Sequence, residues 1–179
     1  MADRVVTPYE GTGHRPWVPG APIERPLRLH QTRVSSAWVD YNGHMSESCY
    51  LLVFGDNSDA FFRFIGIDED YRAGGCSLYT VETHLHHRRE VSAGEPLALS
   101  LQLLDHDRKR VHLFQEMTHG ESGVVLATAE QMLVHVDVAA GRSADLPGHL
   151  TERLDAIKHA HSVLPVPEVV GKPMGINRA

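Results

Sequence analysis

Apolar residues between positions 46 and 65 recur at helical spacing. Tyr50, Leu51, Phe54, Phe61, Phe62 and Ile65 form one broad face, widened by Val53, Ala60 and Phe64. Asp56, Asn57, Asp59 and Arg63 gather on the other side, with Asp59 and Arg63 placed as an i,i+4 pair. The pattern predicts a helix from about Ser46 to Ile65, roughly 30 Å long at ~1.5 Å per residue. Ser46 is placed to cap it, Glu47 suits its positive end, and Gly66 is a stop signal. Elsewhere the strong pattern has period two. Residues 26–39, with Leu27, Leu29, Val34 and Val39, read as a strand with a bulge expected near Ser35-Ser36. Residues 76–91 set Tyr79, Val81, Thr83 and Leu85 against Glu82, His84, His86 and Arg88. Three further strands follow over 96–105, 110–118 and 124–138, separated by polar or Gly-containing turns. A second helix is predicted over 148–161, where Leu150, Leu154 and Ile157 align.

The order is strand, long helix, then four consecutive antiparallel strands. One curved antiparallel sheet wrapped around the long helix buries both apolar faces in a single core. That is an α+β hotdog domain, expected over 26–162. Residues 1–25, rich in Gly and Pro, read as an irregular arm that Trp17 is placed to anchor; residues 163–179 read as an irregular tail. Domains of this architecture usually dimerise by joining sheets edge to edge, which covers an exposed edge strand. A homodimer or a dimer of such dimers is therefore expected.

Composition narrows the function classes. The 179 residues carry a formal charge of −6, which argues against a general nucleic-acid binder but not against an anionic small ligand held by local arginines. No apolar run reaches the ~20 residues that span a bilayer, and no apolar stretch follows the N-terminus as in a secretory signal. Cys49 and Cys76 fall in different elements and make no disulfide framework, so a cytoplasmic protein is expected.

The chemistry concentrates just before the long helix, in Trp38-Val39-Asp40-Tyr41-Asn42-Gly43-His44-Met45. A carboxylate, an amide, an imidazole and a glycine stand within five residues of one another. The first N–H groups of a helix have no partner inside it, so this position suits developing negative charge. Asp-x-Asn-Gly is also ordinary turn chemistry, and a lone histidine is more often structural than catalytic.

This run, continued by Tyr50-Leu51, resembles the signature of the 4-hydroxybenzoyl-CoA thioesterase superfamily, and the resemblance covers roughly residues 27–138. Together with Tyr79-Thr-Val-Glu82-Thr-His84 and Gly94-Glu95-Pro96-Leu97, it looks most like betainyl-CoA thioesterases of carnitine breakdown. The resemblance implies hydrolysis of a short acyl-CoA to the free acid and CoA. It implies no cofactor, because CoA is part of the substrate. Asp40 matches the essential carboxylate of the 4-hydroxybenzoyl-CoA type. Asp40, Asn42, His44 and Glu90 match an Asp, Asn, His and Glu set of the fatty-acyl carrier-protein thioesterases, in which the Glu follows an Arg-Arg pair. Those enzymes usually carry an Asn pair after the His step, where this chain has Ser46-Glu47. Strand alternation also sends Glu90 to the polar face unless a bulge turns it.

On this reading Asp40 acts as general base or nucleophile, Asn42 positions it or the water, and His44 orients water or assists the leaving thiolate. Backbone N–H groups around Gly43 and Met45 are the expected oxyanion donors. Trp38, Tyr41, Gly43, Met45 and Tyr50 are the expected substrate-binding residues. A cationic acyl group would call for Trp38, Tyr41, Tyr50, Phe54 or Tyr79 as aromatic contacts, with Glu47 or Asp56 as counter-charge. Two rival readings remain. Glu82, His84 and His86 share a strand face and, with His112 or His135, offer metal-ligand spacing for a hydrolase. A non-hydrolytic acyl-CoA-binding protein or a dehydratase of the same fold is the other.

Overall fold

The computed structural model describes residues 14–176. Most of the arm assigned to 1–25 and the last three residues of the tail lie outside them. The elements run β1 (Leu27–Arg33), a 3-10 turn (Ser36–Trp38), α1 (Glu47–Ile65), α2 (Glu69–Ala73), β2 (Cys76–His87), β3 (Pro96–His106), β4 (Arg110–His119), β5 (Val125–Asp137), β6 (Arg142–Ser143) and α3 (Gly148–His161). The sheet is antiparallel in the order β1-β3-β4-β5-β2, with β6 paired to the end of β5. Placing β2 beyond β5 leaves β1 and β2 at the two edges. The sheet curls around α1, so the hotdog architecture read from the sequence is the one observed.

α1 stops where the sequence says. Gly66 has φ +99°, and its N–H donates to the carbonyls of Arg63 and Phe62. Its start differs: Ser46 is the cap residue, but its side chain makes no capping hydrogen bond. The N–H groups of Glu47 and Ser48 therefore have no side-chain acceptor among the described residues. The first strand also ends early. Ser35 Oγ accepts Ala37 N–H at 3.2 Å and turns the chain into the 3-10 segment, while the bulge falls between Leu27 and His30. Local side-chain capping won over continued pairing.

The core is divided. Leu27, Phe61, Ile65, Leu101, Leu113 and Leu133 pack with Leu150, Leu154 and Ile157 of α3 at the C-terminal end of α1. Val34, Met45, Tyr50, Val53, Phe54, Leu97 and Met117 pack at its N-terminal end. Between the two clusters lies a buried polar layer. Asn57 Nδ2 donates to Gln115 Oε1 at 2.6 Å, and Gln115 Nε2 donates to Ser58 Oγ at 2.8 Å and to Gln131 Oε1 at 2.6 Å. The flank of α1 read as polar is buried as well. Arg63 is 2% exposed and bonds Asp59 at 3.0 Å and Glu69 at 2.6 Å.

The chain on either side of the domain is held down. Trp17 packs against Phe64, ring centroids 5.3 Å apart and planes tilted by 59°. After α3 the tail crosses the outer face of the sheet. Gln102 Nε2 on β3 donates to Pro165 O at 3.3 Å, and Gly171 N–H donates to Glu130 on β5 at 2.9 Å. Phe114, which points outward from β4, is buried to 7% exposure beside Leu164 and Pro165. Among the described residues no helix is long and apolar enough to cross a membrane.

Candidate active site

The Asp40–His44 segment is a closed turn. Asp40 N–H donates to His44 O at 3.0 Å, Gly43 N–H to Asp40 O at 3.0 Å, and Asn42 N–H to Asp40 Oδ1 at 2.8 Å. Gly43, at φ +80°, takes the left-handed conformation that the turn needs. Val39 and Met45 pair across its base. The turn is then pinned twice: Ser46 N–H donates to Trp38 O at 2.8 Å, and Met45 N–H to Val91 O at 2.8 Å. These bonds use the N–H groups of Gly43 and Met45, two of the donors expected for an oxyanion. The His44 N–H has no acceptor among the described residues, and it is followed along the chain by the uncapped first turn of α1. Asp40 is half-buried and one of its oxygens is used in the turn. Oδ2 has no hydrogen bond among the described residues.

The second half of the site comes from the end of β2. The strand was expected to run to residue 91 but stops at His87, because Arg88 and Arg89 both donate their N–H groups to Leu126 O, at 2.8 and 3.1 Å. This displacement breaks the alternation that sends Glu90 to the outer polar face. Glu90 instead lines a depression of about 300 Å³ with Met45, Glu47, Tyr50, His87, Arg88 and Arg89. Tyr50 ties the two halves together: its hydroxyl donates to Arg89 O at 3.1 Å, and its ring meets His87 edge-on at 4.9 Å. Burial and the neighbouring Glu90 raise the Tyr50 pKa above its ordinary value, so the phenol stays a donor.

Not all of the sequence-predicted residues converge. Met45, Tyr50 and Glu90 line the depression; Asp40, Asn42 and His44 belong to the adjoining turn, joined to it through Met45 and Val91. Trp38 is half-buried against the Met45–Tyr50 cluster. Tyr41 is 97% exposed, and Tyr79 is half exposed on the β2 edge. An extra residue at Val81, between the Thr80↔Leu133 and Glu82↔Met132 pairs, breaks the face assigned to Tyr79 and Val81. The five proposed aromatic contacts are thus not gathered in one place. His87, Arg88 and Arg89 line the depression but were not singled out as binding residues; the Arg-Arg step just before Glu90 was their sequence signal.

The metal-ligand geometry expected on β2 does not form. His84 Nε2 lies 2.9 Å from Glu82, and His112 Nε2 lies 2.8 Å from Glu130. His135 sits elsewhere: Tyr71 OH donates to its Nε2 at 2.7 Å, and its Nδ1 donates to Ala144 O at 3.1 Å. Among the described residues no group of three or more His, Cys, Asp or Glu is arranged to hold a metal ion. His84 and His112 instead converge on the Glu130 carboxylate, at 3.9 and 2.8 Å, and Glu130 is also held by the Gly171 N–H.

Sequence and structure comparisons converge on one group of proteins. The Thioesterase-like superfamily profile matches residues 34–154. An L-carnitine dehydrogenase/betainyl-CoA thioesterase of Rhizobium meliloti is 48% identical over 153 residues, 86% of this chain but 31% of that protein. The chain thus spans about a third of the length of the curated relatives it matches first. A betainyl-CoA thioesterase of Pseudomonas aeruginosa is 44% identical over 84% of this chain and 95% of its own length. Among solved structures, a candidate thioesterase of Pseudomonas putida superposes with TM-score 0.76 and 34% identity, over 89% of this chain and all of that one. A Staphylococcus aureus protein solved in complex with CoA also gives 0.76, at 26% identity, over 88% of this chain and all of that one. Since the matched stretch takes in the Asp40 turn, α1 and every long strand from β2 to β5, the chain belongs to the Thioesterase-like superfamily.

Proposed function

We propose that the protein hydrolyses betainyl-CoA to betaine and CoA. The observation that carries this reading is the 44% identity to the Pseudomonas aeruginosa betainyl-CoA thioesterase across 95% of that protein's length. In this reading the thioester carbonyl lies over the start of α1. Its oxygen faces the His44 N–H and the uncapped N–H groups of Glu47 and Ser48, where donors and helix dipole act together. Asp40 Oδ2 takes the proton of an attacking water, or attacks directly to give an anhydride that water then opens. The tetrahedral centre collapses with loss of the CoA thiolate, which leaves well enough to need no strong acid. Asn42 and His44 hold the turn and orient the water, and Glu90 approaches from the displaced end of β2.

The active unit is a homodimer joined through β2. This strand is twelve residues long, its outer edge is unpaired among the described residues, and Tyr79 and Val81 stand 50% and 61% exposed beside it. A cytoplasmic setting agrees with two cysteines that form no disulfide.

Thiol release from betainyl-CoA and a panel of short acyl-CoAs tests the reading. Wild type should turn over betainyl-CoA, and Asp40→Asn should lose roughly 10²–10⁴-fold in kcat, the usual worth of a positioned base. Unchanged turnover in Asp40→Asn removes Asp40 from the mechanism; no turnover of betainyl-CoA by wild type refutes the substrate.

A further inference from the structure

The depression beside the helix start carries charges of both signs. Arg88 and Arg89 have no ion pair among the described residues, and a CoA thioester brings phosphates that suit them. Glu90 belongs to the proposed reaction centre. Glu47 is left over. It is exposed, lines the depression, and has no hydrogen bond or ion pair among the described residues. It stands three residues before Tyr50 and so shares its side of α1.

Four of the other candidates for holding a cation fall away on geometry. Tyr50 is 3% exposed and covered by His87, so it offers no free ring face. Phe54 is fully buried and Tyr41 fully out in solvent. Asp56 lies nine residues beyond Glu47, two and a half helical turns, on the opposite side of α1. It is 2% exposed, with Asp59 as its charged neighbour. Asp59 is itself held by Arg63 and Arg72, at 3.0 and 3.3 Å. Of the acids on α1, Glu47 alone reaches the depression. Here the chain also carries Ser46-Glu47 in place of the Asn pair expected from carrier-protein thioesterases. The space, about 300 Å³, equals roughly ten water volumes of ~30 Å³ and admits a trimethylammonium group.

We infer that Glu47 is the counter-charge that selects a quaternary-ammonium acyl group. This rests on the proposed betainyl-CoA reading. Glu47 would meet the cationic acyl group already in the ground state, so its loss should appear in the KM for the charged substrate.

The test compares betainyl-CoA with tert-butylacetyl-CoA, which has the same shape and no charge. For Glu47→Gln the KM for betainyl-CoA should rise about fivefold, the upper end for one solvent-exposed charge pair. The KM for tert-butylacetyl-CoA should stay within about twofold, which also reports an intact fold. Glu47→Lys should widen the difference further. Equal effects on both substrates, or no effect on either, overturn the role of Glu47. If wild type hydrolyses the neutral ester but not betainyl-CoA, it is the substrate reading that fails, and the two failures are told apart by the wild-type control.

Discussion

Replacing Gln115 with Leu removes the centre of the buried polar layer while nearly preserving volume. Gln115 is fully buried and makes three side-chain hydrogen bonds, accepting from Asn57 and donating to Ser58 and Gln131. At ~1 kcal/mol net each, their loss alone costs about 3 kcal/mol. Leucine recovers part of this through its apolar surface. Against that, Asn57, also fully buried, loses the partner of its Nδ2, and its Oδ1 already has none. An orphaned buried donor costs ~1–3 kcal/mol, so the net loss should be about 3 kcal/mol. For a domain of this size that lowers Tm by roughly 6–12 °C. Urea unfolding followed by far-UV circular dichroism, at one fixed protein concentration, measures it. Adding Asn57→Leu should cost less than the sum of the two single changes, because the orphan is removed with its partner. Activity at 25 °C should persist, since Ser58 lies eleven residues, ~16 Å along the axis, from the first turn of α1. A single variant within ~0.5 kcal/mol of wild type, or a strictly additive double variant, would refute the reasoning.

Burial and Asp59 push the Asp56 pKa up to about 6, above its ordinary 3.8, so folding favours the protonated acid and stability falls as pH rises from about 4 to 6. Asp56→Asn should therefore stabilise the protein at pH 7 to 8 by up to ~3 kcal/mol and by much less at pH 4, read by denaturant melts across pH. Burial pushes His30 the other way, down to about 4, so stability should fall with acid between pH 6.5 and 4, a slope that His30→Gln should flatten. Gly66→Ala places a Cβ 2.3 Å from Arg153 Nη1 and holds alanine at φ +99°; it should cost ~1–2 kcal/mol in thermal melts, mostly through the helix stop.

Helical spacing in 46–65 and alternation in the later strands made α1 and the sheet legible, because burial on one face leaves a period that composition does not blur. The Asp40 turn was legible for the same local reason: Asn42-Gly43 is turn chemistry within a few residues. What was hidden depends on partners far along the chain. Gln115 and Gln131 look like surface residues until Asn57 and Ser58 arrive opposite them. The displacement at Arg88 and Arg89 depends on Leu126, thirty-odd residues later, and it alone brings Glu90 beside Met45. Alternation along β2 shows that Glu82 and His84 share a face, but not that Glu130 of β5 stands between His84 and His112.

The course of the tail across β3 to β5 has a consequence for assembly. Two sheets that pack face to face stand ~10 Å apart with interlocking side chains and no room for a third layer of backbone. Residues 164–171 already occupy that space, with Pro165 on Gln102 and Gly171 on Glu130. Back-to-back stacking of two such sheets is therefore blocked while residues 164–171 are seated on the outer face.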